Sequence, residues 1–190
     1  IIATKKKTTE PDHTITSKIM EKEYQLYISF PKSYNSKDTI SYPVLYVLDG
    51  YYSYPLFKGM QNLMTTSKTI EEVIIVGIRE GLDRDSWLIN RSYYFTPSRD
   101  TVWEREREKK YNLPKGSLTT GGAPEFLRSI KTEIVPLIEK NYKTNTDRGI
   151  SGWAFGGLFT TYCFINSDGY FTRFGLNTST LWWNKNEILN

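Results

Sequence analysis

Residues 147–159 read Asp147-Arg-Gly-Ile-Ser-Gly-Trp-Ala-Phe-Gly-Gly-Leu-Phe159. The segment begins with residues typical of a strand, passes through closely spaced glycines and continues as an apolar stretch typical of a helix. Gly152 and Gly156 stand two residues on either side of Ala154, and glycine leaves the space that a sharp turn needs. The segment therefore predicts a strand, a sharp turn and the start of a helix.

The spacing of Gly152-Trp-Ala-Phe-Gly156 is that of the G-x-S-x-G nucleophile elbow. In that motif the central residue takes a strained conformation at the tip of a strand, where its side chain is exposed. Ala154 occupies this position, so the scaffold of a serine hydrolase is predicted without its reacting hydroxyl. Ser151 and Thr160 are not expected to replace it, because neither would lie at the exposed tip.

Length and composition predict one folded domain. The chain has 190 residues, of which 38% are hydrophobic and 15% aromatic, and this length is sufficient for a sizeable core. The most apolar segments, residues 43–48 and 73–78, have the length of strands and not of membrane spans. We therefore expect no membrane span.

The net charge of +4 does not indicate a nucleic-acid partner. The basic residues form no single stripe, because Lys5-Lys6-Lys7 lies in a polar tail and residues 103–110 alternate both signs. Cys163 is the only cysteine and His13 the only histidine, which argues against a disulfide and against a metal site built from these residues. We expect Cys163 to be buried and His13 to lie in solvent or in a turn. Compartment and oligomeric state stay open.

The predicted order of elements is that of an α/β fold, with a polar tail at residues 1–14 and one domain at residues 15–190. Residues 79–120 show no sustained periodicity and are expected to form a long, lid-like binding loop. The remaining predicted elements are a strand at 24–30 near a sheet edge, buried strands at 43–48 and 73–78 with a helix over 56–64 between them, a helix over 124–142 kinked at Pro136, a strand at 147–152, a helix at 155–165 and a strand at 171–176.

In this order the pieces resemble the putative esterase family of α/β-hydrolases, which includes esterase D-like enzymes, siderophore esterases and feruloyl esterases. The matching pieces are Tyr42–Gly50, Arg91 with Phe95-Thr-Pro97, Gly121-Gly-Ala with Phe126-Leu127, Ile134–Tyr142, the elbow and Leu181-Trp-Trp-Asn184. The resemblance runs from about residue 15 to the end of the chain. It implies a mostly parallel central sheet with helices on both faces and without its last strands, so that the domain is C-terminally incomplete.

The resemblance also implies roles for single residues. Ala154 stands at the nucleophile position, and the backbone N–H of Phe155 would be one oxyanion donor. The second donor would come from Gly50 or Tyr51. These donors are main-chain groups, so they do not depend on the missing serine.

Two further positions, Trp153 and Arg91, are similar to substrate-contacting positions of the family. Packing of Trp153 against the long loop and a surface ion pair of Arg91 are the alternatives. The histidine base and the acid of the family lie beyond the strand that ends near Leu176, and neither is found before Asn190. We do not expect His13, which precedes the first strand, to substitute for the base.

The function implied by the resemblance is that of a serine carboxylic-ester hydrolase with an acyl-enzyme intermediate, inactive as written. Its substrate would be a small-molecule or glycan-linked ester, and no metal or organic cofactor is required. The tyrosines of the loops, together with Trp153, favour a ring-bearing or sugar-bearing substrate. A non-catalytic binding module and an acyltransferase on the same fold remain as alternatives.

Overall fold

A computed structural model of the chain describes residues 10–67, 69–81 and 83–190. The lysine run at positions 5–7 and the rest of the predicted tail up to residue 9 lie outside these residues. The strands are β1 (His13–Thr16), β2 (Glu23–Ser29), β3 (Tyr42–Val47), β4 (Ile74–Arg79), β5 (Thr144–Trp153) and β6 (Arg173–Asn177). The helices are α1 (Gly50–Thr66), α2 (Arg84–Tyr94), α3 (Thr101–Tyr111), α4 (Ala123–Ser129), α5 (Val135–Asn141) and α6 (Phe155–Asn166), followed by short turns at Trp183–Asn186 and Glu187–Leu189.

The strands form one mostly parallel sheet in the order β1-β2-β4-β3-β5-β6. β1 and β2 are antiparallel to their neighbours, whereas β4, β3, β5 and β6 are parallel to one another. The predicted α/β fold is confirmed. The buried strands predicted at 43–48 and 73–78 correspond to β3 and β4, and they lie at the centre because their side chains are apolar on both faces.

Helices cover both faces of the sheet. On one face Tyr46 and Ile150 belong to the larger core cluster, which also contains Phe126 of α4 and Phe159 of α6. On the other face α1 contributes to a smaller cluster of Tyr27, Val47, Tyr54 and Ile75. Successive residues of a strand point to opposite faces, so β3 supplies both clusters. Within the described ranges no helix is both long and apolar enough to cross a membrane.

The segment 79–120 is not a structureless loop, because it contains α2 and α3. Each helix begins at an aspartate: the Asp83 carboxylate accepts the Ser86 N–H at 2.8 Å, and the Asp100 carboxylate accepts the Trp103 N–H at 2.9 Å. The buried residues of α3 are two glutamates, although Trp103 of the same helix also packs against the core. The buried Glu104 and Glu108 accept backbone N–H groups from Thr120 and Leu118, respectively. Because these buried residues are acidic, the helical period does not appear in the pattern of apolar residues.

The interruption predicted at Pro136 takes the form of a π-helical segment at Ile130–Ile134, between α4 and α5. Proline cannot donate a backbone hydrogen bond, and wider π turns relieve such conflicts inside a helix. Here the Val135 N–H donates to the Ile130 carbonyl, five residues earlier. The apolar face continues on both sides, since Ile130, Ile134 and Ile138 are fully buried.

The predicted N-terminal tail ends earlier than expected, because β1 starts at His13. The Asp12 carboxylate accepts the Ile28 N–H at 2.7 Å, which attaches this end to β2. The prediction that His13 lies in solvent or in a turn is wrong. Its Nε2 lies 2.6 Å from the Tyr142 hydroxyl, and the side chain is half-buried.

Candidate active site

The turn between β5 and α6 has the strained backbone of an elbow. Ala154 has φ 52° and ψ −115°, a region that residues with a Cβ rarely occupy. Its N–H donates to the Asn177 carbonyl at 3.0 Å, and its carbonyl accepts the Thr180 N–H at 3.2 Å. The segment that follows β6 therefore holds the turn from one side, while α6 continues from the other.

At the glycines of the elbow an added side chain would come too close to neighbouring atoms. A Cβ on Gly152 would lie 2.4 Å from the carbonyl carbon and oxygen of Gly156, and a Cβ on Gly157 would lie 2.5 Å from Ser179 Oγ. A Cβ on Gly156 would approach the Asp49 carboxylate to 3.3 Å. The elbow thus packs against Asp49, at the end of the neighbouring strand.

A second helix starts beside the elbow. The predicted helix at 56–64 is longer than expected and begins at Gly50, directly after Asp49, whose φ of 53° is left-handed. The Asp49 carbonyl accepts the N–H groups of Tyr52 and Ser53 at 2.9 and 3.0 Å. The N–H groups of Gly50 and Tyr51 precede these and have no acceptor within the helix, as is general for the first residues of a helix.

The starts of α1 and α6 lie at the same edge of the sheet. β3 and β5 are adjacent and parallel, with Val47 opposite Ser151, and the Leu48 N–H donates to the Ser151 carbonyl at 2.9 Å. The N–H of Phe155, the first residue of α6, likewise has no partner within its helix. Two helix N-termini therefore follow adjacent strands at this edge of the sheet, and each contributes the positive end of a helix dipole there.

Arg91 and Asp49 form a buried ion pair behind the start of α1. Arg91 Nε lies 2.9 Å from Asp49 Oδ1, and Nη2 lies 3.0 Å from Oδ2. Trp87 Nε1 donates to the same Oδ1 at 2.8 Å. Arg91 is only 8% exposed, so the alternative of a surface ion pair is wrong because the pair is buried. Arg91 lies in α2, within the segment that was predicted to be a loop.

Glu80 is a buried acid that the sequence did not single out. It follows β4, is fully buried, and accepts the Asp49 N–H on Oε1 at 3.0 Å. Burial, and then the negative charge of Asp49, raises the pKa of Glu80 well above its ordinary value. The surroundings of Glu80 therefore favour its protonated form, and the ion pair of Arg91 is made with the Asp49 carboxylate.

Residues 17–188 match the sequence profile of the family described as "Putative esterase". The chain belongs to this esterase family. The strained elbow and the two adjacent helix starts agree with that assignment.

Two curated relatives of this esterase-family chain are siderophore esterases by name. Apo-salmochelin esterase of Escherichia coli O6:H1 is 26% identical over 156 residues, which is 80% of this chain and 45% of the relative. Ferri-bacillibactin esterase BesA of Bacillus subtilis is 25% identical over 180 residues, which is 92% of this chain and 60% of the relative. The chain thus spans about half the length of these relatives.

Solved structures show the same fold. The BES protein from Bacillus cereus superposes with a TM-score of 0.76 at 30% identity, covering 93% of this chain and 63% of that structure. An IroE-like serine hydrolase from Shewanella oneidensis superposes with a TM-score of 0.72 at 26% identity, covering 93% of this chain and 52% of that structure. The predicted α/β-hydrolase type of fold is confirmed.

Two exposed tryptophans lie at or beside the elbow of the esterase-family chain. Trp153 directly precedes Ala154 and is 46% exposed, so it is not packed into the core. Trp182 is also exposed, and its ring lies 6.3 Å from that of Phe155. Tyr51 is exposed as well, but its ring lies near Tyr52 and the Arg79 guanidinium. The rings of Trp153 and Trp182 therefore leave flat apolar surface open to a ligand beside the elbow.

The hydroxyls near the elbow are engaged elsewhere. Ser151 is buried, and its Oγ accepts the Asn177 side-chain amide at 3.1 Å. Thr160 Oγ1 donates to the Gly156 carbonyl at 2.9 Å within α6. Neither lies at the tip of the elbow. Cys163 is buried as predicted, and burial raises the pKa of its thiol well above the ordinary value, which favours an inert thiol.

The only histidine lies far from the elbow. Its strand β1 is separated from β5 by β2, β4 and β3, and four spacings of about 4.8 Å place the two strands roughly 19 Å apart. His13 therefore cannot act as a base at position 154. Among the described residues no group of three or more His, Cys, Asp or Glu side chains could hold a metal ion.

Proposed function

We propose that the chain provides the nucleophile elbow and the oxyanion hole of a carboxylic-ester hydrolase. The observation that carries the proposal is that α6 begins at Phe155, directly after the strained Ala154, and that α1 begins at Gly50, after the adjacent parallel strand β3. We assign the N–H groups of Phe155, Gly50 and Tyr51 as the donors of the hole. Such donors stabilise the negative oxygen that forms when an ester carbonyl is attacked, and losing one of them typically costs about 3 kcal/mol.

The chemistry of the hydrolase requires a hydroxyl at position 154. That hydroxyl would attack the ester carbonyl, transfer its proton to a base, and form an acyl-enzyme that water then hydrolyses. Ala154 has only a methyl group, and the ring of His13 is out of reach. The chain as written is therefore expected to hold an ester carbonyl without cleaving it.

For the substrate we propose a ring-bearing ester of the siderophore type. Two observations support this class: the names of the two siderophore esterases to which the chain is similar, and the exposed rings of Trp153 and Trp182 beside the elbow. Aromatic faces contribute stacking energy that an aliphatic ester would not gain. Arg91 is not among the proposed substrate contacts, because its side chain is buried against Asp49.

A non-catalytic binding module is the second candidate, and Ala154 is the observation that favours it. Such a module would use the same donors and rings to retain an intact ester. The codon of the source gene at position 154 separates the two: serine there supports the hydrolase, and alanine supports the binding module. An acyltransferase would share the elbow, and only an alcohol acceptor would distinguish it.

The oxyanion hole can be tested with a thiol at position 154. A thiolate needs no separate base, so Ala154→Cys should react with p-nitrophenyl acetate in a single turnover. The rate of acylation is divided by the rate of alkylation with iodoacetamide, which passes through no oxyanion. We expect this ratio to exceed that of Ser36→Cys, an exposed loop position, by about 100-fold.

The parent chain, with Cys163 as its only thiol, gives the background. Equal ratios for the two introduced thiols would contradict the proposed function. Binding of the ring-bearing substrate is measured separately, by quenching of tryptophan fluorescence with bacillibactin and with salmochelin. A Trp153→Ala variant that binds both as tightly as the parent would contradict the role of that ring.

A further inference from the structure

The two halves of the proposed oxyanion hole belong to different helices. Gly50 and Tyr51 open α1 after β3, and Phe155 opens α6 after β5. An oxyanion hole works only if its donors keep a fixed separation, because a shift of about 1 Å can cost on the order of 100-fold in rate. The structure must therefore hold the two helix starts together.

Asp49, the residue that precedes Gly50, has a backbone conformation that side-chain contacts must maintain. Asp49 is left-handed at φ 53° and ψ 46°, which is uncommon for a residue other than glycine. Its N–H is held by Glu80, and its carboxylate receives three N–H donors from Trp87 and Arg91. Three of these four contacts therefore come from one helix, α2.

Arg91 touches both halves. Two of its nitrogens bind the two oxygens of the Asp49 carboxylate, and its guanidinium carbon lies 5.5 Å from the centre of the Phe155 ring. A guanidinium at this distance from a ring is within the range of a cation–π contact. Arg91 is thus connected to the residue that precedes Gly50 and to the residue that supplies the other donor.

Direct contact of Arg91 with a substrate does not fit this geometry. The side chain is 10% exposed, and its Nε and one terminal nitrogen already donate to Asp49. The rings of Trp87 and Phe95 lie 4.8 and 5.6 Å from the guanidinium carbon. The group is enclosed by protein, so its effect on a ligand must pass through Asp49 and Phe155.

We infer that Arg91 is a positioning residue, which fixes the separation of the two halves of the oxyanion hole through Asp49 on one side and Phe155 on the other. This inference rests on the proposed function, since it assumes that the hole is used. It also means that α2 supports the site from behind, although it lies in the segment predicted from sequence to be a lid-like loop.

The test uses Ala154→Cys as the background and adds Arg91→Met, which keeps apolar bulk but removes the charge and the two-point contact. We expect the ratio of acylation to alkylation to fall by about tenfold to 100-fold, with the alkylation rate within twofold of the background. Arg148→Met is the matched control. It removes a guanidinium from the ion pair with Glu139, near the middle of β5 and six residues before Ala154, and should leave the ratio unchanged.

Arg91→Lys carries the test if Arg91→Met does not fold. Lysine keeps the charge but cannot bind both carboxylate oxygens in a fixed fork, so a fall of about threefold to tenfold is expected. An unchanged ratio in a folded Arg91 variant would overturn the inference. A parallel fall of both rates would also overturn it, because the thiol itself would then be affected. Failure of the background to exceed Ser36→Cys would instead contradict the proposed function.

Discussion

Gly152→Ala should destabilise the protein strongly through contact with backbone atoms. The added Cβ would lie 2.4 Å from the Gly156 carbonyl carbon and oxygen and 2.8 Å from its Cα, about 1 Å inside ordinary contact. Backbone cannot rotate away as a side chain can, so β5 and the start of α6 must separate. Overpacking of this kind costs typically about 1–3 kcal/mol, and we expect the upper end of that range.

Gly59→Ala is the matched control, because it makes the same chemical change where there is room. A Cβ on Gly59 meets nothing within 4 Å, and the residue lies inside α1, where alanine is the better helix former. We expect Gly59→Ala to stabilise by about 0.5–1 kcal/mol.

Urea unfolding followed by tryptophan fluorescence gives both free energies of unfolding. For a chain of this length a loss of about 3 kcal/mol should lower the melting temperature of Gly152→Ala by roughly 6–12 °C, at about 2–4 °C per kcal/mol. A Gly152→Ala protein that loses less than about 0.5 kcal/mol would refute the argument that the elbow has no room for a side chain.

Three further predictions concern the site and the core. The pKa of Glu80 is raised in the folded state, so its contribution to stability falls as pH rises above the pKa that a glutamate has in the unfolded chain. Glu80→Gln should remove that fall, so the unfolding free energy of the variant relative to the parent should increase as pH rises above that pKa. A difference that stays constant with pH would contradict the raised pKa. Ala154→Ser alone should show no turnover of p-nitrophenyl acetate above the parent, because His13, the only histidine of the sequence, lies far from position 154. Clear turnover would show that another group serves as the base. Phe126→Ala should lower the free energy of unfolding, measured in urea, by about 3–5 kcal/mol, because this fully buried ring packs against Tyr94 and Phe159. A loss below about 1 kcal/mol would mean that the core closes around the cavity.

The buried strands could be predicted from sequence because an uninterrupted apolar run is a strong signal. β3 and β4 lie within one residue of their predicted limits, and the glycines around position 154 located the elbow. α3 could not be predicted in the same way. Its buried positions are the acids Glu104 and Glu108, whose burial depends on N–H donors of Thr120 and Leu118 in another part of the chain.

The site was predictable to the extent that it is made of backbone. Two helix starts follow β3, which ends at Val47, and β5, which ends at Trp153, and the family resemblance was enough to propose donors there. The groups behind those donors could not, because Glu80 and Arg91 reach Asp49 across 31 and 42 residues of sequence. Both are charged residue types that, without coordinates, are most simply expected at the surface.

The main-chain origin of the proposed oxyanion donors has a genetic consequence. Alanine and serine codons with the same last two bases differ only at the first base, so a single base change at codon 154 would add or remove the hydroxyl. That change would leave the donors from Gly50, Tyr51 and Phe155 in place. In any version of the protein that also supplies a base, a single point mutation would then convert binding of an ester into its turnover, or the reverse.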